Sequence, residues 1–262
     1  MPEGHTIHRL ADDHNREFVG QQLLVSSPQG RFSSGAKTLN GRQLTHVDAH
    51  GKHLLYDWEG KTLHIHLGLY GKVRRHRAPP PEPRGLVRLR VIGNKTAFDL
   101  NGPTACEILS KSNVRALLNR LGSDPLRDDA DPETAWNKIR RSRSPLGTLL
   151  MNQSVIAGVG NVYRSEVLHL LHIHPERKGN TLSRDEFDEM WTLIVNLLTI
   201  GKRYNRIITA NPEEIGKPRG RMNRSERVLV YKKEFCSRCE ARIESWKLAA
   251  RTIFACPVCQ AD

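Results

Sequence analysis

The sequence predicts an α+β protein of two domains, an antiparallel β domain with a helix at its start and a helical domain that ends in a cysteine-bounded hairpin. Three observations carry this. From about residue 20 to 108, short runs of alternating apolar character are separated by Gly30, Gly41, Gly51, Gly60, Gly71 and the Gly93-Asn94 pair. From 133 to about 205 the apolar spacing lengthens to that of helices. Near the end, Cys236-x2-Cys239 and Cys256-x2-Cys259 stand 16 residues apart.

Residues 4–17 read as a helix, with Ile7, Leu10 and Ala11 on a polar background, and such a helix anchors the N-terminus against a core. Strands are expected at Gln22–Ser26, Leu44–Ala49, His53–Trp58, Thr62–Leu67, Lys72–Arg75, Leu86–Ile92 and Thr96–Leu100, in a sandwich or barrel. The proline-rich Ala78–Arg84 is an exposed connection. After a helix at Val114–Leu121, Gly122-Ser123-Asp124-Pro125 opens an acidic hinge over 122–132. The expected domains are therefore 1–121, a helical part at 133–226 and a tail at 227–262. Helices follow at Glu133–Arg141, Leu146–Asn152, Val162–Leu171 and Ser183–Gly201, the last with a Ser183/Glu186 capping box. The stretch 211–226 is so poor in apolar residues that it reads as a mobile basic loop, and Arg227–Lys232 reads as a strand.

Lys and Arg total 41 against 28 Asp and Glu, a net charge of +13, and this points to a polyanionic partner, nucleic acid above all. Residues 202–251 hold fourteen of the cations and six Glu, so over half the excess lies in about a fifth of the chain. The polar stretch from Glu3 through Arg9 does not read as a signal peptide, and no apolar run approaches the ~20 residues that span a bilayer. The expected compartment is the reducing cytoplasm, where five cysteines are not disulfide-forming.

The paired C-x-x-C motifs have the spacing of a closed four-thiolate zinc site, with no open position for catalysis. The intervening Ile243–Trp246 and Thr252–Phe254 can pair as a hairpin whose tip, near Lys247–Arg251, projects Arg251 toward phosphate. The alternative is a redox pair, and for Arg251 a solvated turn residue. Asn152-Gln153 and Gly158-Val159-Gly160-Asn161 place glycines where backbone can approach a ligand, before a helix whose free N–H groups suit phosphate. At the other end, removal of Met1 would leave Pro2 as a secondary amine, titrating near pH ~8 and able to form an iminium with a sugar carbon. Glu3 beside it can shuttle protons. By themselves these residues describe a processed start with a solvated Glu more readily than a nucleophile and its acid.

Taken together, Met1-Pro2-Glu3-Gly4, Gly51-Lys52-His53-Leu54-Leu55, His66–Gly71, Leu121–Leu126, Gly158–Glu166 and Arg251–Gln260 resemble the formamidopyrimidine-DNA glycosylase/endonuclease VIII family of base-excision repair enzymes. The likeness runs the length of the chain, and the Pro-Glu-Gly start with Leu69-Tyr70 favours the endonuclease VIII branch. It implies a helix plus β-sandwich domain, a helix–two-turn–helix domain and a β-hairpin zinc finger with one structural zinc on Cys236, Cys239, Cys256 and Cys259. It also implies DNA in the cleft between the domains, a monomer, and a place on the bacterial nucleoid. By motif position, Pro2 resembles the nucleophile, Glu3 the ring-opening acid, Lys52 the lysine of β-elimination and Arg251 the arginine of δ-elimination. Arg120 and Asn161 resemble DNA-backbone contacts. Leu69 and Tyr70 suit a wedge into the hole left by a flipped base, with core packing as the plain alternative.

The sequence departs from the family pattern at Asn101–Thr104, where the 8-oxoguanine enzymes carry a further Arg/Phe wedge. It also departs at Gly147, which stands for a common lysine, at Gly68, which stands for Gln, and at Thr6, which stands for Glu. A partial wedge implies weak opposite-base preference and action on single-stranded or bubble DNA as well as duplex. The expected activity is a DNA glycosylase and abasic-site lyase on oxidised pyrimidines, with no catalytic metal. Two rivals are a non-catalytic nucleic-acid binder and a metal hydrolase using His64 and His66, which share one strand face and otherwise read as sheet-surface residues.

Overall fold

The computed structural model describes residues 2–261, and the chain divides into two compact units at Arg120/Leu121. In the first unit, α1 (Gly4–Phe18) is followed by β1 (Leu24–Ser26), α2 (Ser33–Leu39), β2 (His46–His50), β3 (His53–Trp58), β4 (Lys61–His66), β5 (Lys72–Arg77), β6 (Val87–Ile92), β7 (Thr96–Asn101), β8 (Ala105–Leu109) and α3 (Lys111–Asn119). Every strand pairing is antiparallel, in two four-stranded sheets ordered β1-β6-β7-β5 and β2-β3-β4-β8. The sandwich core lies between them, where Val25, Leu89, Val91, Phe98 and Leu100 of one sheet meet Val47, Leu54, Tyr56, Leu63 and Ile65 of the other. Helix α1 closes this core with Ile7, Ala11 and Phe18. It is pinned to β2 by Asn15, whose amide donates to Val47 O (2.6 Å) while its Oδ1 accepts from Val47 N (3.0 Å).

In the second unit come α4 (Pro132–Ile139), α5 (Leu146–Leu149), α6 (Asn161–Leu170), α7 (Arg184–Tyr204), α8 (Pro212–Ile215) and the hairpin β9 (Glu244–Leu248) with β10 (Arg251–Ala255). The α7 capping box forms as the sequence indicates: Ser183 Oγ accepts from Glu186 N, and a Glu186 carboxylate oxygen accepts from Ser183 N. Arg177 grips the same carboxylate through two N–H donors and holds it down to about pKa 2. Ile253 of the hairpin belongs to the core of α4–α7, with Trp246 and Leu248 against it, so the finger does not stand apart from the helices.

Four expectations need correction. Residues 211–226 are not a bare loop: α8, a short 3-10 turn at Arg219–Arg221 and buried Met222 pack with Ile208, Ala210 and Leu229 in a small core. Arg227–Lys232 is not a strand, because the N–H groups of Leu229, Val230 and Tyr231 are taken by the buried carboxylate of Glu166 (2.7, 3.0 and 2.8 Å). Strand β8 and helix α2 went unread in the sequence. Finally, His64 is buried rather than on an open sheet surface, with the His53 ring stacked on it and Glu107 against its other nitrogen.

Candidate functional site

At the start of α1, Glu3 occupies the N-cap position with extended backbone, and its carbonyl accepts from Thr6 N (2.9 Å). Its side chain makes no capping bond, yet the residue is 0% exposed, and Pro2 is half-buried beside it. The solvated-Glu reading is therefore excluded. A carboxyl held inside at a helix N-terminus meets the positive end of the peptide dipoles. Burial pushes the neighbouring His5 imidazole down to about 4 and keeps it neutral.

Lys52 sits in the two-residue turn between β2 and β3, where Gly51 takes φ 57°. Register then fixes what surrounds it. His53 lies opposite His50 on β2 and His66 on β4, and His64 lies opposite Glu107 on β8. The rings of His53 and His66 are 4.7 Å apart. His53 Nδ1 meets His64 Nε2 at 2.9 Å, and His64 Nδ1 meets Glu107 Oε1 at 3.1 Å. The carboxylate only accepts, so His64 donates from Nδ1 and His53 donates to His64 Nε2. Burial first, then the repulsion that a proton on it would meet from neighbouring His66, His64, Arg120 and His50, presses His53 down to about 3. His66 is lowered by burial, His64, Lys52 and Arg120. Lys52 and Arg120 thus flank one row of neutral histidines, and in sequence only the shared face of His64 and His66 hinted at it.

The turn after β4 carries Leu69 and Tyr70, 44% and 81% exposed, so neither packs in the core. The turn is narrow because Gly71 N donates to Leu67 O (2.9 Å), and a Cβ at Gly71 would meet that oxygen at 2.2 Å. Gly68, at φ 64°, would drive a Cβ to 1.9 Å from Thr104 Oγ1, and Thr104 N donates to His66 O (2.8 Å). The departures at Gly68 and at Asn101–Thr104 therefore meet in space.

In the second unit, Gln153 sets the loop before α6: its amide donates to Val159 O (2.9 Å) and its Oε1 accepts from Gly158 N (3.1 Å). Asn161 is the first helical residue, not the cap, and its amide donates to Thr252 O of β10 (2.9 Å). One turn on, buried Arg164 donates to Gly147 O, Leu248 O and Arg251 O. The side chain of Arg251 itself is exposed at the hairpin tip. The structure thus joins Asn161 to the finger, and it explains Gly147: a Cβ there would lie 2.8 Å from Leu248 and 3.1 Å from Ile253. Arg164 was missed by sequence reasoning, since its partners in the hairpin lie more than eighty residues away along the chain.

The sulfurs of Cys236, Cys239, Cys256 and Cys259 all lie within 4.8 Å of one another. Three pairs stand at 3.8, 3.4 and 3.5 Å, close to the ~3.8 Å edge of a tetrahedron with ~2.3 Å metal–sulfur bonds. Burial and the adjacent thiols push Cys259 up, which a dication would reverse by stabilising thiolate. This donor set fits a structural metal. Cys106, half-buried in β8, is raised to about 12 by burial and is inert. No helix among the described residues is long and apolar enough to cross a membrane.

A sandwich opened by a buried Glu, a helical domain and a four-thiol hairpin define a class also reached by comparison with known proteins. Residues 1–103 match the formamidopyrimidine-DNA glycosylase N-terminal domain, and residues 121–211 match the H2TH domain of the same enzymes. The chain is 47% identical to endonuclease 8 1 of Mycobacterium tuberculosis strain H37Rv, covering 99% of this chain and 100% of that one. It is 30% identical to the formamidopyrimidine-DNA glycosylase of Herpetosiphon aurantiacus, over 100% and 99% of the two chains. Among solved structures, a Lactococcus lactis Fpg complex with THF-DNA and an inhibitor superposes with a TM-score of 0.82 at 25% identity, over 100% of both chains. The chain belongs to the formamidopyrimidine-DNA glycosylase/endonuclease VIII family, and its sequence is endonuclease 8-like.

Proposed function

We propose that the protein is a bifunctional DNA glycosylase and abasic-site lyase that removes oxidised pyrimidines. Once Met1 is removed, the Pro2 nitrogen attacks C1′ of the damaged nucleotide, the bond to the base breaks, and Glu3 protonates the sugar ring oxygen as the ring opens. The resulting iminium acidifies C2′–H, so the 3′-phosphate leaves by β-elimination, assisted by Lys52. Arg251 grips phosphate and assists loss of the 5′-phosphate by δ-elimination. Arg120 and Asn161 contact the DNA backbone, and Leu69 with Tyr70 fill the space of the extruded base. Zinc on Cys236, Cys239, Cys256 and Cys259 holds the finger and takes no part in the chemistry. The protein acts as a monomer in the cytoplasm, on bubble or single-stranded DNA as well as duplex.

The observation that carries this reading is the burial of Glu3 directly after Pro2 at the start of a helix packed on the sandwich. Borohydride reduction during turnover tests it, because only an amine-linked intermediate becomes a permanent protein–DNA adduct. Wild-type protein is expected to trap; Pro2→Gly and a form retaining Met1 are expected to lose most of the adduct. A hydrolase on His64 and His66 is disfavoured because His64 spends both ring nitrogens on His53 and Glu107.

A further inference from the structure

Two residues separate β9 from β10, and both are alanines with positive φ, Ala249 at 53° and Ala250 at 57°. Two-residue hairpin turns of this kind favour Asn-Gly, because a Cβ is crowded at positive φ. The alanines do not select this turn by themselves, so contacts outside it must hold it. Arg164, 0% exposed, donates through Nη2 to Leu248 O (3.1 Å) and Arg251 O (3.3 Å), the two carbonyls that bracket the turn. Its Nη1 donates to Gly147 O (2.9 Å) and ties the pair to α5. From the same helix face Asn161 holds Thr252 O, one residue further.

We propose that Arg164 is a positioning residue for the lyase reaction, a buried clamp that forces the Ala249-Ala250 turn and thereby fixes where Arg251 presents its guanidinium. This rests on the reading of Arg251 as the phosphate-gripping residue of δ-elimination. A planar guanidinium spreads five donors in a rigid fork and so reaches carbonyls on two sides with fixed geometry, where an ammonium is a compact point charge. Gly147 lies against the same hairpin, since a Cβ there would force the Leu248 and Ile253 side chains to give way.

The test uses the full-length, zinc-loaded protein on a preformed abasic-site duplex, with β and δ products resolved on a gel. Arg164→Met is expected to slow the δ step about tenfold, with adduct formation and the β step within twofold of wild type and one zinc per chain retained. Placing the turn's favoured sequence in that background, as Arg164→Met/Ala249→Asn/Ala250→Gly, is expected to recover most of the δ rate. Amide hydrogen exchange over residues 248–252 is expected to rise in Arg164→Met and to fall again in the triple variant. If Arg164→Met does not fold, Arg164→Lys, which keeps the buried charge, is read in the same assays. An unchanged δ rate, or a loss that the Asn-Gly turn does not repair, overturns the clamp while leaving the lyase reading intact. If Arg251→Ala leaves δ-elimination at the wild-type rate, the role of Arg251 itself fails, and the positioning role with it.

Discussion

Glu166 shows how one side chain can organise a region that composition leaves blank. It is 0% exposed and accepts from three consecutive backbone N–H groups and from the Thr209 hydroxyl. Each donor stranded in the interior costs roughly 1–3 kcal/mol, so Glu166→Ala is expected to lower stability by at least ~3 kcal/mol in urea unfolding. Glu166→Gln, which still accepts, is expected to cost less. Nothing local in Arg227–Lys232 announced this: an apolar Val-Leu-Val run looks like a strand until a carboxylate more than sixty residues away takes its donors. The same distance hid Arg164. By contrast, the four cysteines were legible, because thiol pairs at fixed spacing carry their meaning in the residues themselves, whereas the Pro-Glu-Gly start gained its meaning only from the motifs that follow it.

At the scale of elements, glycine punctuation made most strands legible to within a residue or two, and at Gly30, Gly41, Gly51 and Gly60 the backbone takes the positive φ that other residues resist. Helix α2 was not, because Ser33-Ser34-Gly35 reads as a turn; Gly35 is needed there since a Cβ would lie 2.1 Å from the Phe32 ring. Strand β8, following Gly102-Pro103, is an edge strand of mixed burial with little alternation to detect. The Gly68–Gly71 turn carries its own prediction. Because Leu69 and Tyr70 are exposed, Leu69→Ala with Tyr70→Ala should leave the melting temperature within about 1–2 °C, in line with surface substitutions. The same double variant should lower base removal from duplex DNA far more than from a single strand, where no stacked helix has to be opened. Equal losses on both substrates would contradict the wedge.

For the whole molecule, charge and buried imidazoles set the response to solution conditions. With a net charge of +13, DNA affinity should fall steeply with salt, by roughly 10³-fold between 50 and 200 mM if about six phosphates are contacted. A flat response in a fluorescence-anisotropy titration would argue against the basic surface as the DNA contact. Acid should destabilise the fold through the histidines. Burial holds His5, His14 and His169 near 4 and His53 near 3, all below the unfolded value of 6.5. The unfolded chain binds those protons first, so stability falls as pH drops from 6.5 toward 4, and denaturant midpoints at pH 7 and pH 5 should show it. Glu186, held near 2, contributes stability that is lost only below about 4.5, as pH falls toward 2.

The proposed reaction hinges on a bond between Pro2, as the first residue of the mature chain, and a sugar carbon. Peptide mapping by mass spectrometry of the borohydride-reduced complex locates that bond directly. The adduct mass is expected on the N-terminal peptide, at the Pro2 nitrogen, and to vanish when Met1 is retained. An adduct carried by Lys52 or any other lysine, with the N-terminal peptide unmodified, would contradict it.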